Sequence, residues 1–325
     1  MMMPGADWRP GATRDALRLR AARLAAARDF FAARGVLEVD TPVLVRRAVT
    51  DPHLHCASVQ LPGCAETLYL HTSPEYAMKR LLAAGSGDIY QICHVVRGEE
   101  RGRQHNAEFT LIEWYQLGAG MDALMDEVEA LVRLLAAPAA AAPARRLSYQ
   151  QAFVAALGVD PLAAGEAELR AAATRCHVDA AAVAAGERDT LLDLLMGLVV
   201  GPGLGRGAPC FVHRYPASQA ALARLDPADA RVALRFELYL EGMELANGFV
   251  ELADAAEQEA RFEAERRTRA TRGLPAPPAD ERLLAALAAG LPDCAGVALG
   301  FDRLLMLAGG AHDIGAVMPF TTALA

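Results

Sequence analysis

The stretch Arg97-Gly-Glu-Glu-Arg-Gly-Arg-Gln-His-Asn-Ala-Glu-Phe109 lies between two strand-like runs, residues 88–96 and 109–116, and decides the fold. It is too long for a tight hairpin turn and is rich in charged and polar side chains. Arginine offers a planar, permanently charged fork that suits phosphate oxygens, and Phe109 offers a ring face to a nucleobase. The stretch indicates either a nucleotide-binding loop or a charged, solvated hairpin loop, and in isolation it does not decide between them.

A second candidate for chemistry is a pair of carboxylates, Glu237 and Glu244, which lie seven residues apart. On one straight strand this odd spacing would put them on opposite faces. A tight turn at Glu241-Gly242 instead pairs Tyr239 with Glu244 across a hairpin. The hairpin then carries four side chains on one face: Glu237, Tyr239, Glu244 and Ala246. Two exposed strand carboxylates without a function are the alternative interpretation.

Two carboxylates on one sheet face beside a triphosphate are what Mg²⁺ needs, because it prefers hard oxygen ligands and keeps several positions for water and phosphate. Glu251 follows on the same strand-like run. It shares the face of Glu244 only if Asn247-Gly248 introduces a β-bulge. The sequence therefore predicts a bulge there if the three carboxylates act together.

Length and composition exclude several classes of protein. The 325 residues include 53% hydrophobic residues, which excludes a mainly disordered chain. The formal net charge is −8, which argues against a general nucleic-acid binder, although a local basic groove can exist in an acidic protein. The length fits one large α/β catalytic domain with an insertion, or two domains.

The cysteines and the N-terminus indicate a compartment. None of the six cysteines forms C-x-x-C, so neither a zinc ribbon nor a thioredoxin motif is present. Residues 1–10 lack the apolar run of a signal peptide, and no apolar run reaches the ~18 residues that span a bilayer. We expect reduced cysteines, a cytoplasmic protein and no membrane partner.

One basic residue stands out by its type. Lys79 is the only lysine among the 32 Lys+Arg residues. Together with the abundant alanine, the arginine excess is typical of a GC-rich genome, so arginine clusters need not mean phosphate binding. A lysine that is retained despite this bias is a candidate for a specific role. The alternative interpretation is that Lys79 is an ordinary helix residue.

Two other clusters favour structural roles. Gly201-Pro-Gly-Leu-Gly-Arg-Gly207 fits neither G-x-G-x-x-G nor the P-loop, because Arg206 stands where a glycine should and no lysine follows. We expect a flexible loop. The spacing of His53, His55 and Cys56 is poor for a metal, and a loop cluster is expected there.

Periodicity and capping signals predict the elements. Helices are predicted over residues 14–34 ending at Gly35, over 74–84 with Ser73 as N-cap and Pro74 in the first position, and over 122–136 and 254–272. Strands are predicted over 36–42 and 236–252, and a strand or turn running into a helix over 296–307. Residues 136–144 are the best linker candidate, followed by a mostly helical insertion at 148–205.

Together these segments resemble the catalytic domain of class II aminoacyl-tRNA synthetases, in the lysyl branch. The segment around Pro42 resembles motif 1, residues 97–115 resemble motif 2, and Gly300-Phe-Asp-Arg303 resembles motif 3. Thr72-Ser-Pro-Glu-Tyr-Ala-Met-Lys-Arg-Leu81 and Glu244-Leu-Ala-Asn-Gly-Phe249 resemble lysyl-branch signatures. The resemblance covers about residues 14–320. It implies an α/β (α+β) fold, an antiparallel sheet flanked by helices, as a single domain over 1–325, and a homodimer with motif 1 at its interface.

The resemblance also implies site residues. ATP would be bound by Arg97, Gly98, Glu99, His105, Asn106, Phe109, Glu244, Leu245, Gly300 and Arg303. Arg97 and Arg303 would be catalytic, Arg97 at the α-phosphate where charge builds and Arg303 at the base and the γ-phosphate. Mg²⁺ bridging the phosphates would be held by Glu237 and Glu244. A lysine-like substrate would be bound by Ser73, Pro74, Glu75, Tyr115, Glu251 and Ala298, since buried ammonium groups need carboxylate partners.

Within the family, the chain is most similar to the short lysyl-tRNA synthetase paralogues that attach (R)-β-lysine to a lysine of elongation factor P. Ser73-Pro-Glu-Tyr, Arg214-Tyr-Pro-Ala-Ser-Gln-Ala and Pro292-Asp-Cys-Ala-Gly-Val-Ala-Leu-Gly carry this similarity. Motif 1 begins almost at the start of the chain, so no anticodon-binding domain is expected and tRNA is an unexpected partner. The similarity implies an ATP-dependent ligase that forms AMP and pyrophosphate.

Four positions depart from the family pattern. Gly98 stands where motif 2 usually has Asn, His94 where a basic residue is expected, Val250 where His is expected, and Ala298 where lysyl-tRNA synthetases have Gly. The methyl of Ala298 would narrow the pocket beside the substrate's α-amino group. We therefore expect α-lysine to be disfavoured and a β-amino isomer to be tolerated.

Three alternatives remain at this point. A lysyl-tRNA synthetase-like enzyme would activate α-lysine. An asparagine-synthetase-like enzyme of the same fold would need a pocket for a carboxylate, whereas Glu75 and Glu251 suit a cation. A non-catalytic regulatory paralogue would have lost its ATP residues, whereas Arg97, Glu244 and Arg303 are present.

Overall fold

A computed structural model describes residues 8–98 and 100–325 of the chain. It contains ten α-helices in these ranges: α1 Arg14–Ala32, α2 Glu75–Ala83, α3 Met121–Ala136, α4 Tyr149–Leu157, α5 Glu166–Arg175, α6 Ala180–Ala185, α7 Arg188–Leu195, α8 Ala255–Thr271, α9 Glu281–Gly290 and α10 Phe301–Gly309. Twelve strands accompany them: β1 Leu37–Glu38, β2 Leu44–Val45, β3 Ser58–Val59, β4 Leu68–Leu70, β5 Ile89–Val96, β6 Glu108–Leu117, β7 Arg145–Ser148, β8 Cys210–Pro216, β9 Leu225–Asp226, β10 Asp229–Leu240, β11 Met243–Val250 and β12 Cys294–Gly300.

A nine-stranded sheet organises the described residues. Its order is β1-β5-β6-β12-β11-β10-β8-β7, with β9 paired to β10. The β1–β5 and β7–β8 pairs are parallel, and the other ladders are antiparallel. A separate small sheet has the order β2-β4-β3. The predicted fold class, an antiparallel sheet flanked by helices with helices inserted near the middle of the chain, is confirmed.

The main core lies on one face of this sheet. Strand side chains such as Trp114 and Leu299 pack there against helices α1, α3 and α10, with Phe31 and Leu304 fully buried. Side chains alternate along a strand, so the residues between these core positions point to the opposite face. That opposite face carries the candidate site described below.

The first helix illustrates how local sequence sets the elements. Thr13 caps α1, because its hydroxyl accepts a hydrogen bond from the Ala16 N–H at 3.2 Å. The helix ends three residues before Gly35, whose φ of 71° is a conformation that glycine adopts without a Cβ penalty. The helix prediction over 14–34 is therefore confirmed.

Most other predicted elements form, with three differences. The strand predicted over 36–42 is only the two-residue β1, and Pro42, which has no N–H to donate, follows shortly after it. At α2, Pro74 is the flanking residue, and the Ser73 hydroxyl still accepts from the Glu75 N–H at 3.0 Å. In the predicted linker, Ala140 is fully buried in the main core, so this segment is packed and not an exposed connection.

The inserted helices have their own core. Helices α4 to α7 pack on β8 through a second cluster that includes Phe153, Leu192 and Tyr215. The glycine-rich stretch at 201–207 supports the β10–β11 turn, because the Glu241 N–H donates to the Gly205 carbonyl at 2.9 Å. Among the described residues, no helix is both long and apolar enough to cross a bilayer.

Candidate active site

A cavity of about 280 Å³ opens on the sheet face opposite the main core. Strands β6, β11 and β12, helix α2 and the loop between β5 and β6 contribute its walls. One end carries Arg97, His105 and Arg303, and the other carries Glu75 and further carboxylates. A cationic end and an acidic end therefore share one cavity, although their residues come from distant parts of the chain.

Arg303 and His105 form the cationic end. The Arg303 Nη1 donates to the Glu244 carbonyl at 3.0 Å, and its Nε donates to the Gln104 carbonyl at 3.2 Å. The Arg303 Nη2 lies 2.5 Å from His105 Nε2. Burial and the neighbouring guanidinium lower the pKa of His105, so the imidazole is neutral and accepts this hydrogen bond.

Arg97 lies on the other side of this end. Its Nε donates to the Thr72 carbonyl at 3.2 Å, and its guanidinium carbon is 5.2 Å from the centre of the Phe109 ring. This geometry places a cation over an aromatic face. The Nη1 atom is 3.7 Å from the Glu100 carboxylate, which is too long for a hydrogen bond. The structure thus brings together Arg97, Phe109, His105 and Arg303, as the resemblance implies.

Asn106 is engaged by the protein itself. Its Nδ2 donates to the Glu108 carbonyl at 2.6 Å, and its Oδ1 accepts from the N–H and hydroxyl of Thr322 at 3.1 and 3.0 Å. The side chain lines the cavity and ties the start of β6 to the C-terminal segment. Its role in binding ATP stays a prediction.

Gly98 touches a neighbouring loop. Its N–H donates to the His55 carbonyl at 2.7 Å, and a Cβ at this position would lie 3.2 Å from that oxygen. A larger residue here would require the loop containing His55 to shift. Glu99, predicted to bind ATP, lies outside the described residues.

The acidic end contains a carboxylate that the sequence analysis missed. Glu113 is buried, and its two oxygens accept hydrogen bonds from Ser73 Oγ and Tyr115 Oη, each at 2.7 Å. Burial, together with the charge of Glu75, raises the Glu113 pKa to about 7. Strand alternation is the signal that could have found it, because Glu113 lies two residues before Tyr115 on β6 and therefore shares its face.

The acidic end also contains a second unexpected group, the ammonium of Lys79. Its Nζ lies 2.7 Å from Glu75 Oε1 and 2.6 Å from Glu251 Oε2. The two carboxylates predicted to bind substrate ammonium groups therefore already contact one ammonium of the protein. Burial lowers the pKa of Lys79, but the two carboxylates outweigh this effect and raise it above its ordinary value.

Glu251 retains one oxygen without a partner. Across residues 8–98 and 100–325, no group hydrogen-bonds its Oε1, although that atom is buried. Burial raises the Glu251 pKa to about 8, and the charge of Glu75 adds to this while Lys79 opposes it. An unpaired buried carboxylate oxygen is costly unless a donor arrives, so the arrangement suits a cationic ligand.

Gly296 leaves the space that the side chains of the acidic end occupy. A Cβ at this position would lie 2.2 Å from a ring carbon of Tyr115 and 2.7 Å from Glu251 Oε1. Only glycine lets these side chains cross β12 at this point. Ala298 follows two residues later, lines the same cavity and pairs with Glu113 in the ladder.

The remaining predicted residues do not all line the same cavity. Ser73, Leu245 and Gly300 line the cavity, whereas Pro74 lines a neighbouring one. His53 and Cys56 belong to a loop, as predicted, and no group of His, Cys, Asp or Glu suited to a metal occurs among the described residues.

The predicted hairpin carboxylates are only partly on the cavity wall. Tyr239 does pair with Glu244, as predicted. Glu244 lines the cavity, and burial together with the charge of Glu237 raises its pKa to about 7. Glu237 lies behind the wall, where its oxygens accept from Arg235 Nη2 and Tyr239 Oη at 2.6 Å each.

A register shift explains the remaining face assignments. Leu238 pairs with Ala246, whereas Tyr239 pairs with Glu244, so Leu245 is an extra residue on β11. Ala246 consequently packs in the main core, and its predicted place beside Glu244 is wrong. The same shift brings Glu251 to the face of Glu244, so the predicted bulge exists but lies two residues earlier than expected.

A family model described as "tRNA synthetases class II (D, K and N)" matches residues 4–323. The chain belongs to this family. It is 51% identical to proteins named elongation factor P–(R)-β-lysine ligase from Salmonella typhi and Salmonella dublin, over 98% of this chain and 99% of each relative. The relative of the same name from Salmonella paratyphi B has the same identity and coverage. Family membership agrees with the motif resemblance, and with a sheet whose cavity residues come from the motif segments.

Proposed function

We propose that the chain activates (R)-β-lysine with ATP and transfers it to a lysine side chain of elongation factor P. The proposal takes substrate and acceptor from the relatives' shared name, at 51% identity over nearly the whole chain. The single observation that carries it is the acidic end of the cavity, where the buried Glu251 Oε1 has no partner in the described chain. A substrate with two ammonium groups supplies the missing donors.

The cationic end fits the ATP side of the first step. A carboxylate oxygen of the amino acid attacks the α-phosphorus, and the bond to pyrophosphate breaks. Arg97 neutralises the negative charge that builds on the α-phosphate oxygens, and Arg303 binds the γ-phosphate and the base. Neutral His105 accepts a hydrogen bond from Arg303 and so keeps its guanidinium beside the phosphates. No protein base is needed, because the nucleophile is already an anion.

The second step forms an amide. The neutral ε-amine of the acceptor lysine attacks the acyl carbon, the bond to AMP breaks, and the proton lost by the amine passes to solvent. The substrate's own ammonium groups remain held by Glu75 and Glu251 during this step, which keeps the acyl carbon in place.

Mg²⁺ is the cation we propose beside the phosphates, where it offsets the charge on their oxygens. Glu244 fits it, since its carboxylate lines the cavity, and burial together with the negative charge of Glu237 raises its pKa to about 7, so a nearby divalent cation would stabilise its ionised form. Glu237 fits less well as a direct ligand, because both of its oxygens already accept hydrogen bonds. We therefore assign the direct contact to Glu244 and a supporting charge to Glu237.

Ala298 is our proposed determinant of the amino-acid isomer. Its methyl group lies on the cavity wall next to the carboxylates, where it restricts the space for an α-amino group. We expect pyrophosphate exchange to favour (R)-β-lysine over (S)-α-lysine. The opposite preference would contradict this assignment and favour a lysyl-tRNA synthetase-like activity.

Two further proposals concern the setting of the reaction. The six cysteines are free, which suits a reducing compartment such as the cytoplasm. We also propose a homodimer through the motif 1 segment, where Leu37, Val43 and Leu44 are exposed. Large exposed apolar side chains close together in sequence are typical of interaction sites.

The deciding experiment is intact mass measurement of elongation factor P after incubation with the enzyme, ATP and (R)-β-lysine. We expect a gain equal to one lysyl residue, dependent on both ATP and the amino acid. A reaction that forms no AMP and pyrophosphate with any lysine isomer would instead favour the non-catalytic paralogue.

A further inference from the structure

The only lysine of the chain lies behind the acidic end of the cavity. Lys79 is 1% exposed and does not line the cavity itself. Its ammonium contacts Glu75, one helical turn earlier on α2, and Glu251, which follows β11. One side chain therefore connects the two elements that carry the predicted substrate carboxylates.

Lys79 contacts only one oxygen of each of these carboxylates. Glu251 contacts the ammonium through Oε2, and its Oε1 has no partner in the described chain. Glu75 contacts the ammonium through Oε1. A carboxylate that is fixed through one oxygen has its other oxygen held in a defined direction. The ammonium thus leaves one oxygen of each carboxylate for a ligand.

Three carboxylates interact with the ammonium of Lys79, Glu75 and Glu251 by direct contact and Glu113 through its charge. They contribute three negative charges when ionised, and Lys79 contributes one positive charge. The remainder is two negative charges, which matches the two ammonium groups of a diamino acid after its carboxylate has been joined to AMP as a mixed anhydride. Without Lys79 one buried charge would be in excess, and a carboxyl group would take up a proton instead.

We propose that Lys79 is a positioning residue for substrate recognition, which holds Glu75 and Glu251 so that the pocket offers two net negative charges to a diammonium substrate. The inference rests on the proposed function for the identity of the diamine. A buried ion pair that only supports the fold is the competing explanation. The two explanations differ in what the removal of the ammonium does to substrate binding and to its pH dependence.

Other titratable groups face the same region and contribute to any pH profile. They are Glu113 and Tyr115 of β6, Cys294 of β12, Tyr76 of α2 and Glu265 of α8. The pKa values of Glu113 and Glu251 are each lowered by Lys79 against the stronger effect of burial. Loss of Lys79 must therefore move their ionisation to higher pH.

The test is calorimetric titration of the full chain with (R)-β-lysine, without ATP, at several pH values. Lys79→Met keeps the length and apolar stem but removes the charge. We expect binding at neutral pH to weaken about tenfold or more, and the midpoint of the affinity–pH curve to rise by about one unit. Arg80→Met removes the neighbouring cation on α2, which is exposed, and should change neither quantity.

Two further arms keep the inference testable if Lys79→Met does not fold, as judged by its melting curve. Lys79→Gln provides a polar neutral replacement with the same expected shift. On the wild-type chain, 1,5-diaminopentane should bind at least about tenfold more tightly than 1-aminopentane, since one carboxylate charge stays uncompensated with a monoamine.

Unchanged affinity and pH midpoint in the variants, or equal binding of the two amines, would overturn the inference. Titration without ATP keeps this result separate from the proposed function. A chain that binds the diamine as expected but leaves elongation factor P unmodified contradicts the function alone, whereas unaltered binding by the Lys79 variants contradicts the positioning role alone.

Discussion

Arg97 has a side chain that the protein anchors near its Nε and a guanidinium charge that can act on a ligand. Its Nε is anchored on the Thr72 carbonyl, and its guanidinium lies over the Phe109 ring. Its contact with Glu100 is too long for a hydrogen bond. This side chain is therefore held in position by the protein, and no carboxylate within residues 8–98 and 100–325 hydrogen-bonds its guanidinium, as expected for a group that acts on phosphate oxygens.

Arg97→Ala should lower the rate of adenylate formation by about 10²- to 10³-fold, because one preorganised charge at the reacting phosphate is lost. The melting temperature and oligomeric state should stay close to those of the wild type. Pyrophosphate exchange with (R)-β-lysine measures the rate. Arg101→Ala, which removes an exposed arginine from the same loop, is the matched control and should retain activity. Near-wild-type turnover in Arg97→Ala would show that the motif 2 assignment is wrong.

Substrate affinity should depend on pH through the acidic end. Burial raises the pKa of Glu113 to about 7 and that of Glu251 to about 8. Without substrate, each carboxyl group is therefore protonated in a fraction of the molecules at neutral pH. A diammonium substrate binds the ionised forms, and its affinity should therefore rise as the pH increases through about 7 to about 8. Calorimetry without ATP measures this directly.

The Glu113→Gln variant provides the control for that experiment. It removes the lower of the two ionisations, so its affinity should change less as the pH rises through about 7. An affinity of the wild-type chain that is flat, or that falls with rising pH over this range, would contradict the assignment of these carboxylates to the substrate.

Residue types were predictable from the sequence, but their pairings were not. The sequence marked Lys79 as unusual and Glu75 and Glu251 as suited to a cation. It could not indicate that the cation nearest to both is Lys79, because Lys79 and Glu251 are separated by more than half the chain. Long-range contacts of this kind depend on the tertiary fold and not on local pattern.

At the scale of elements, the β10–β11 hairpin could be predicted only in part from the local sequence. The turn at Glu241-Gly242 and the pairing of Tyr239 with Glu244 followed from turn chemistry. The bulge at Leu245 did not, because neither Leu245 nor Ala246 is a residue that marks a bulge. Both are apolar, and burial of both in the main core stabilises the irregular ladder. That burial brings Glu251 onto the site face.

Strand β12 likewise depends on a single residue, because position 296 requires glycine. Gly296→Ala should destabilise the fold by about 1–3 kcal/mol and weaken (R)-β-lysine binding, since its Cβ would overlap the Tyr115 ring and Glu251 Oε1. Thermal melting and calorimetry report the two effects. Gly197→Ala is the matched control, because a Cβ there would meet no atom within 4 Å. Wild-type affinity in Gly296→Ala would mean that Tyr115 and Glu251 do not form the substrate end.

At the scale of the whole molecule, the sheet explains how scattered motifs form one site. The central order β5-β6-β12-β11-β10 places the motif 2 strands beside the motif 3 strand and the carboxylate hairpin. These segments are up to about two hundred residues apart, and only antiparallel pairing in this order makes them neighbours. The family resemblance implied an antiparallel sheet flanked by helices, whereas periodicity alone predicted only the separate strands.

The outer edge of the same sheet carries the last prediction, which concerns assembly. Strand β1 is an edge strand of two residues, and Leu37 is 54% exposed there, while Leu44 of β2 is 39% exposed. If the motif 1 segment forms the homodimer interface, Leu37→Asp and Leu44→Asp bury a charge in it and should yield monomers. Analytical ultracentrifugation across a concentration series measures the change. Leu198→Asp replaces a leucine just after α7 that is 60% exposed, and this variant should remain dimeric. A wild-type chain that sediments as a monomer at every concentration would contradict this interface.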